Sequence, residues 1–289
     1  MKTERSQRWR ERRERFVPRG AEFDPTIHSV DVIDCHAEAK PFVEAHHYSG
    51  SFPASRMSAG LFRNGPAGTS ELVGVCTFAQ PSNNRSVAKT ANLSHHSHAV
   101  DLGRLVLLDD VGCNGESFLV SRAIRLLRRH KPEVVSVISY ADPVKRRVLG
   151  SGVVHGGHIG RIYQVMDALY LGRATPRTLD VMPNGLVFSP RALSKLRAGE
   201  TGAEYAVRQL MSAGADGIGP SEEPDAWIRR LRGRGFFTRI RHPGTHKYLF
   251  PLTRSAKIAA SSLVRCDYPV ADLSQPFDVT ALEIMRHAA

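Results

Sequence analysis

The alternation of apolar and polar residues predicts strands separated by a helix in the first half of the chain. Residues 71–80 (ELVGVCTFAQ) and 103–108 (GRLVLL) have the apolar, β-branched character of strands. Residues 117–130 have helical spacing, with apolar side chains on one face and arginines on the other. The run 134–140 (VVSVISY) is typical of a strand buried on both sides. This order predicts an α/β protein.

The pattern is less regular after residue 140. Residues 141–158 have the composition of a loop, and residues 159–171 have the spacing of a helix that Gly172 would close. Two short helices are predicted at 190–198 and 202–214, followed by a segment rich in Pro and Gly. We therefore expect a smaller, mostly helical part after the strand-rich core.

Charge divides the chain further and indicates the kind of partner. The 289 residues carry a net charge of +12, and a field of this sign favours polyanions such as nucleic acid, an anionic membrane or a phosphorylated cofactor. Lysine and arginine are concentrated near the N-terminus. Residues 228–266 contain ten lysines and arginines and no aspartate or glutamate. We predict a basic arm at 1–24, a core at 25–180, and a helical, basic extension at 181–289.

The cysteines and the hydropathy pattern bear on the compartment. Four cysteines are widely spaced and form no CxxC pair, which argues against a structural zinc site and a disulfide framework. No apolar run approaches the roughly 18 residues that a membrane span needs. These features predict a cytoplasmic protein without a membrane partner.

A turn at 111–117 is the first candidate for binding chemistry. It leads from a predicted strand into the basic helix, so backbone N–H groups at Asn114, Gly115 and Ser117 could bind a phosphate at the helix N-terminus. Arg104 lies at the start of the preceding strand, and its guanidinium could bind the same phosphorylated ligand. The alternatives are an ordinary tight turn with a capping serine and an edge ion pair between Arg104 and a nearby aspartate.

The chain resembles a known family in several segments between His46 and Phe250. The order of strand, turn, helix, buried strand and helix is similar to that of the GNAT acyltransferase superfamily. The more specific resemblance is to the Mom family of phage DNA modification proteins, a divergent branch of that superfamily. The segments that carry it are HHYSG, GRLVLLDDVGCNGESFLVSRAI, SYAD, GHIGRIYQ and HPGTHKYLF.

The resemblance implies a fold, a reaction and a donor. The fold would be a mixed central sheet, flanked by helices, with two splayed strands that hold an acyl donor, acetyl-coenzyme A or a related compound. The reaction would add a methylcarbamoyl group to N6 of adenine in phage DNA and protect the DNA from restriction in the host cytoplasm. The turn at 111–117 departs from the usual phosphate-binding pattern of the superfamily.

The resemblance also implies the catalytic residues His47, Tyr48, Asp142 and Tyr163. Tyr163 would protonate the departing thiolate, with Tyr170 as the alternative ring. Iron has been proposed for the family, and His47 and Tyr48 are candidate ligands, although their spacing defines no metal site. We expect Tyr48, Asp142 and Tyr163 to converge at the splayed strands. Ordinary core or turn positions are the alternative for each.

The C-terminal basic stretch is the candidate surface for double-stranded DNA with a flipped adenine. The residues expected to contact phosphates are Arg232, Arg234, Arg241 and Lys247. The aromatic residues expected to stack on a displaced base are Phe236, Phe237, Tyr248 and Phe250. The alternative is a solvated basic hairpin with aromatic residues in the core.

Two other functions remain open from the sequence. One is an acyl-coenzyme A-dependent transferase that acts on another amine, in a protein, a tRNA or a small molecule. The other is a nucleic-acid-binding protein that has the same fold and no catalytic activity.

Overall fold

The computed structural model of the protein describes residues 5–10, 13–18, 22–81, 83–148, 152–155, 157–270 and 281–284. The chain divides into two compact units. The first unit is formed by Met1–Pro143, His158–Ala174 and Thr245–Asp278. The second unit is formed by Val144–Gly157, Thr175–Gly244 and Val279–Ala289. The predicted boundary at residue 180 therefore differs from the observed division, because each unit takes segments from both sides of it.

The elements are numbered in chain order. The strands are β1 (Arg5–Arg10), β2 (Arg13–Pro18), β3 (His28–Ile33), β4 (Ser55–Asn64), β5 (Ser70–Ala79), β6 (Ala99–Leu107), β7 (Ser136–Ala141), β8 (Lys145–Val148), β9 (Gly152–His155), β10 (Leu169–Arg173), β11 (Arg177–Val181), β12 (Val187–Phe188), β13 (Thr238–His242), β14 (His246–Pro251) and β15 (Ala281–Ile284). The α-helices are α1 (Lys40–His46), α2 (Asn84–Ala91), α3 (Gly115–His130), α4 (Arg161–Val165), α5 (Pro190–Ala198), α6 (Ala203–Ser212), α7 (Pro224–Gly233) and α8 (Arg254–Ala260).

A seven-stranded sheet forms the centre of the first unit. Its strand order is β10-β14-β7-β6-β5-β4-β3, and the β6 and β7 pair is parallel while the other pairs are antiparallel. The parallel pair needs a crossover, which α3 supplies between the two strands. The predicted mixed α/β architecture is confirmed.

Helices cover both faces of this sheet. The apolar face of α3, with Leu119, Ala123 and Leu127, packs in a core that also contains Val100 and Val137 from the two parallel strands. The opposite face has separate cores beneath α1 and beneath α2 and α8. The residues of β6 thus alternate between two buried layers, which explains the mostly apolar composition of this strand.

The second unit combines short strands with three helices. Strands β12, β11 and β13 form one antiparallel sheet, and β15, β8 and β9 form another. Helices α5, α6 and α7 share a core built around Trp227 and Leu210, both with 0% of their surface exposed. The predicted helices at 190–198 and 202–214 are therefore confirmed, and α7 was not predicted.

Two predicted elements differ from the structure. The helix predicted over 159–171 is limited to the five residues of α4, because Asp167 adopts a left-handed conformation (φ 57°) and the chain continues as β10. The predicted loop 141–158 contains the β8 and β9 hairpin. In the basic arm, β1 and β2 form an antiparallel ribbon.

Candidate active site

The parallel strands β6 and β7 separate part-way along their length. Their paired residues are Ala99 with Ser136, Val100 with Val137, and Asp101 with Ile138. Beyond Asp101, β6 continues to Leu107 and β7 continues to Ala141 without further pairing between them. We call the opening that follows this last pair the fork. The fork is compatible with the splayed arrangement expected from the resemblance.

A bulge in β6 sets which side chains face the fork. Thr77 of β5 pairs with Arg104 and Phe78 pairs with Leu102, so Gly103 is an extra residue on β6. A Cβ on Gly103 would lie 2.8 Å from the Cβ of Ala79, which explains why the bulge has a glycine. Because the bulge resets the alternation, Asp101 and Arg104 lie on the same face of the sheet.

Arg104 is connected to His47 through two serines. Its guanidinium donates from Nε to the Ser51 carbonyl (2.9 Å) and from Nη2 to the Ser51 hydroxyl (2.9 Å). The Ser51 hydroxyl donates to the Ser49 hydroxyl (3.3 Å), which lies 2.8 Å from Nδ1 of His47. The network holds the loop after α1 against β6, with His47 buried at 9% exposure.

Tyr48 lies near Tyr163 in the structure. The rings of His47 and Tyr48 lie 4.2 Å apart between centroids. Tyr163 is 6% exposed, and its hydroxyl is near those of Tyr48 and Tyr248, the Cys76 thiol and the Ser139 hydroxyl. Burial is the main cause that raises the pKa of Tyr163 above its ordinary value; the nearby Tyr48 adds to this and Ser139 opposes it. Tyr163 therefore keeps its proton at neutral pH.

Asp142 belongs to a histidine cluster at the end of β7. Its backbone carbonyl accepts a hydrogen bond from the His158 N–H (2.7 Å). Burial lowers the pKa of His246 to about 4, with contributions from Arg173 and His158, while the Asp142 charge opposes the shift. Nδ1 of His246 lies 2.7 Å from the Tyr170 hydroxyl. The described interactions place Asp142 with these histidines, and the predicted convergence of Asp142 with Tyr48 and Tyr163 remains a prediction.

The turn before α3 differs from a phosphate-binding turn. The Gly115 N–H donates to the Gly112 carbonyl (3.2 Å), and the Ser117 hydroxyl donates to the Asn114 carbonyl (2.9 Å). The expectation that Gly115 presents its N–H to an anion is therefore wrong. The described hydrogen bonds of Arg104 also go to Ser51 and its own neighbour Gly103 rather than to this turn.

Two of the residues predicted to bind the acyl donor, Asn114 and Ser117, line an open depression of about 510 Å³. Asn114 precedes α3, Ser117 and Ser121 lie on α3, and Met166 and Asp167 follow α4. The N-terminus of α3 offers a partial positive charge, and the side chains offer an amide and two hydroxyls. The depression therefore presents polar groups beside the N-terminus of α3, and binding of a donor molecule there remains a prediction.

Comparison with known proteins decides the family. Residues 28–218 match the Mom protein family, which is more than half of the chain. The chain belongs to the Mom family. The Mom family is one of phage DNA modification, so the fork and its surrounding residues belong to a DNA modification protein. No curated protein matches the chain.

The grouping of possible ligands bears on the predicted metal. Among the residues that the structure describes, no three His, Cys, Asp or Glu side chains are grouped closely enough to hold one ion. Tyrosine is not one of these residue types, and iron at His47 and Tyr48 remains a prediction. The same described residues contain no helix that is long and apolar enough to cross a membrane.

The residues predicted to contact DNA are distributed over both units of the chain. Arg232 pairs with Asp180 (2.5 Å) and Arg234 pairs with Asp216. Arg241 is exposed on β13, and Lys247 is half-buried on β14 of the first unit. The aspartates that pair with Arg232 and Arg234 lie outside the acid-free stretch 228–266. Fewer cations of this stretch are therefore available to DNA than its sequence alone indicates.

The predicted aromatic platform is wrong. Phe237 and Phe250 are each 7% exposed and Tyr248 is fully buried, while Phe236 is partly buried in the core of the second unit. These rings are core residues, which was the alternative interpretation. Strands β13 and β14 do not pair with each other either, since β13 pairs with β11 and β14 pairs with β7 and β10.

Sequence reasoning missed several residues around the fork. Ser49 and Ser51 were not predicted as site residues, because serines in a loop have no distinctive spacing. Ser139 lies in an apolar run. A hydroxyl inside a strand that is buried on both sides needs a hydrogen-bond partner, and this feature could have identified Ser139 from the sequence. Asp101 gave a similar signal, since it interrupts the apolar alternation of β6.

Replacing Arg104 by lysine should lower DNA modification about tenfold. Lysine can replace at most one of the directed hydrogen bonds to Ser51, so the loop that holds His47 would loosen. The measurement is the fraction of modified deoxyadenosine in DNA from expressing cells. Arg56→Lys is the matched control, because Arg56 also bonds a backbone carbonyl and a carboxylate, those of Ser97 and Glu133. An equal loss in both variants would contradict a specific role for Arg104.

Proposed function

We propose that the protein is a transferase that adds a small, acyl-derived group of the methylcarbamoyl type to N6 of adenine in phage DNA, which protects the DNA from host restriction. The observation that carries this proposal is the fork, where a buried, protonated Tyr163 lies beside Tyr48 within a member of the Mom family. Transfer to an amine needs a proton donor for the leaving group at such a position.

The sheet topology supports an acyltransferase. The mixed seven-stranded sheet, with β6 and β7 parting after Asp101 and β14 between β7 and β10, is compatible with the splayed core of the GNAT superfamily. The donor is then a substrate, acetyl-coenzyme A or a related acyl donor, with its reactive end at the fork and its polar end toward the depression beside α3.

The residues of the fork have separate tasks in this reaction. Tyr163 donates its proton to the leaving group, since burial keeps the hydroxyl protonated. Arg104 holds the loop that carries His47 and Tyr48 against β6. Asp142 supplies a negative charge beside the buried pair His158 and His246. Each task uses a group whose contacts the structure describes.

DNA is the acceptor that the charge favours. A net charge of +12 attracts the phosphate backbone, and N6 of adenine becomes accessible when the base leaves the duplex. With the aromatic rings of the C-terminal stretch buried, the flipped base needs partners elsewhere. Tyr48, half-buried beside the fork, offers an aromatic ring for this contact.

The salt dependence of DNA binding should identify the free cations. Each contacted phosphate contributes about 0.9 to the slope of log affinity against log salt, so independent contacts by Arg232, Arg234 and Arg241 would together contribute about three. Because acids already pair with Arg232 and Arg234, we expect Arg241→Ala to flatten the slope by about one and the other two substitutions to change it less.

Fluorescence anisotropy with a labelled duplex over a range of salt concentrations measures these slopes. Arg208→Ala is the control, because Arg208 is an exposed cation paired with Glu204 on α6. A slope unchanged by Arg241→Ala would place the DNA surface elsewhere, for example on the face of α3 that carries Arg122, Arg125 and Arg129.

Mass analysis of nucleosides from expressing cells tests the proposed reaction. Cellular DNA and RNA are digested, and modified adenosines are quantified with and without induction of the full chain. A modified deoxyadenosine supports the proposal. An acyl group found only on RNA, protein or a small amine would favour another acceptor. DNA binding without any modified product would favour a binding protein that has the fold alone.

A further inference from the structure

Asp101 is a partly buried carboxylate at the start of the fork. It is the last residue of β6 that pairs with β7, and its neighbours across the sheet are Ala79 and Ile138. Its Oδ1 atom is shut off from solvent and has no hydrogen-bond partner in the part of the chain that the structure describes. Buried carboxylate oxygens are normally paired, so this atom is available to a ligand.

The surroundings of Asp101 indicate the chemistry of that ligand. Burial raises the pKa of the carboxyl to about 7, and the shift has no contribution from a neighbouring charge. On the helices that pack against this face, the charged and titratable residues among those described are Lys40, Glu44 and His46 of α1, Lys89 of α2, and Arg254 and Lys257 of α8. A partner that donates hydrogen bonds without a full charge, such as an exocyclic amino group, would satisfy Oδ1.

We propose that Asp101 binds the N6 amino group of the flipped adenine and accepts its proton during transfer. The inference rests on the proposed function and names a catalytic residue for it. The bulge at Gly103 supports this position, because it directs Asp101 and Arg104 to one face, the face on which the His47 loop is held. Asp101 therefore lies at the fork on the same side as the loop that carries Tyr48.

The proton and the electrons balance with a thioester donor whose acyl carbon already carries the nitrogen of the methylcarbamoyl group. The lone pair of N6 forms a bond to the acyl carbon, and the bond from that carbon to sulfur breaks with its electron pair on sulfur. Asp101 takes one proton from N6 while Tyr163 gives one to the thiolate. Tyr163 then regains a proton from solvent and Asp101 releases one. Removing the proton assists attack because the N6 lone pair is delocalised into the ring.

The test compares Asp101→Asn with the wild-type full chain. We expect the initial rate of deoxyadenosine modification after induction to fall about 100-fold, since the amide still accepts a hydrogen bond but takes no proton. Asp31→Asn is the matched control: Asp31 is an exposed carboxylate on the edge strand β3 of the same sheet, and its replacement should leave the rate unchanged.

Thermal unfolding of the purified proteins separates catalysis from folding. A raised folded-state pKa means that the wild type loses stability as pH rises from about 4 to about 7, and the asparagine variant lacks this loss. We therefore expect Asp101→Asn to melt at a higher temperature than the wild type at pH 8, with a smaller difference at pH 5. Lower activity together with higher stability is a combination that a purely structural role would not give.

The outcomes are distinct. A wild type that modifies no adenine overturns the proposed function, and the role of Asp101 falls with it. An active wild type with an equally active Asp101→Asn variant overturns the role of Asp101 alone. A variant that melts at a lower temperature than the wild type at pH 8 shows a structural carboxylate and also overturns the inference.

Discussion

Replacing Tyr163 by phenylalanine should reduce the rate of DNA modification about 1000-fold. The substitution keeps the ring, which packs 5.2 Å from the ring of Tyr248, and removes the only group of Tyr163 that can transfer a proton. A general acid contributes roughly 10² to 10⁴ to a rate, and burial leaves no water to take over the task. Because one hydroxyl is lost, the free energy of unfolding should change by about 1 kcal/mol at most.

The rate after induction and the unfolding curve of the purified variant check this expectation. Tyr170→Phe is the informative comparison, since the Tyr170 hydroxyl lies 2.7 Å from His246 and its ring is the alternative proton donor. A large loss in Tyr170→Phe with an active Tyr163→Phe would transfer the role to Tyr170. Tyr205→Phe, on the exposed surface of α6, should have no effect on either measurement.

Replacing Gly160 by alanine should lower the free energy of unfolding of the first unit by about 3 kcal/mol or more. Gly160 has φ 79°, and a Cβ there would lie 2.7 Å from ring atoms of both Tyr163 and Tyr248. Neither ring can retreat easily, because Tyr163 is buried and the Tyr248 hydroxyl donates to the Ile159 carbonyl. The variant combines backbone strain with overpacking next to the proton donor.

Gly199→Ala separates the two causes. Gly199 ends α5 with φ 60°, and a Cβ there would meet no atom within 4 Å. We expect it to cost about 1 kcal/mol, the value for strain alone. Denaturant unfolding monitored by circular dichroism measures both variants. Similar costs at the two positions would show that the rings move aside, and DNA modification by Gly160→Ala should then persist.

Local pattern determined the central elements of the first unit. The periodicity of α3 and the apolar runs of β5, β6 and β7 are properties of contiguous residues, so they were readable without any tertiary contact. The position of Asp142 after β7 followed in the same way. The family segments placed His47, Tyr48 and Tyr163 among the candidates, and in the structure Tyr48 lies near Tyr163.

Tertiary pairing decided what the periodicity could not. The last core helix shortens to α4 because Asp167 adopts a left-handed conformation and β10 pairs with β14, a strand nearly 80 residues later in the chain. Arg104 binds Ser51, 53 residues earlier, so its partner had no local signature. Arg232 and Arg234 form ion pairs with Asp180 and Asp216. These aspartates lie outside the basic stretch 228–266, so the sequence of the stretch did not indicate the pairing.

The sequence by itself therefore determined the α/β class, the order of the central elements and the family, because each depends on residues that are neighbours along the chain. Only the tertiary structure decided where β6 and β7 part, which side chains the Gly103 bulge turns to one face, and that Oδ1 of Asp101 is shut off from solvent without a hydrogen-bond partner in the part of the chain that the structure describes. These features depend on the registers of β5, β6 and β7, and register is fixed by packing between strands rather than by the composition of any one of them.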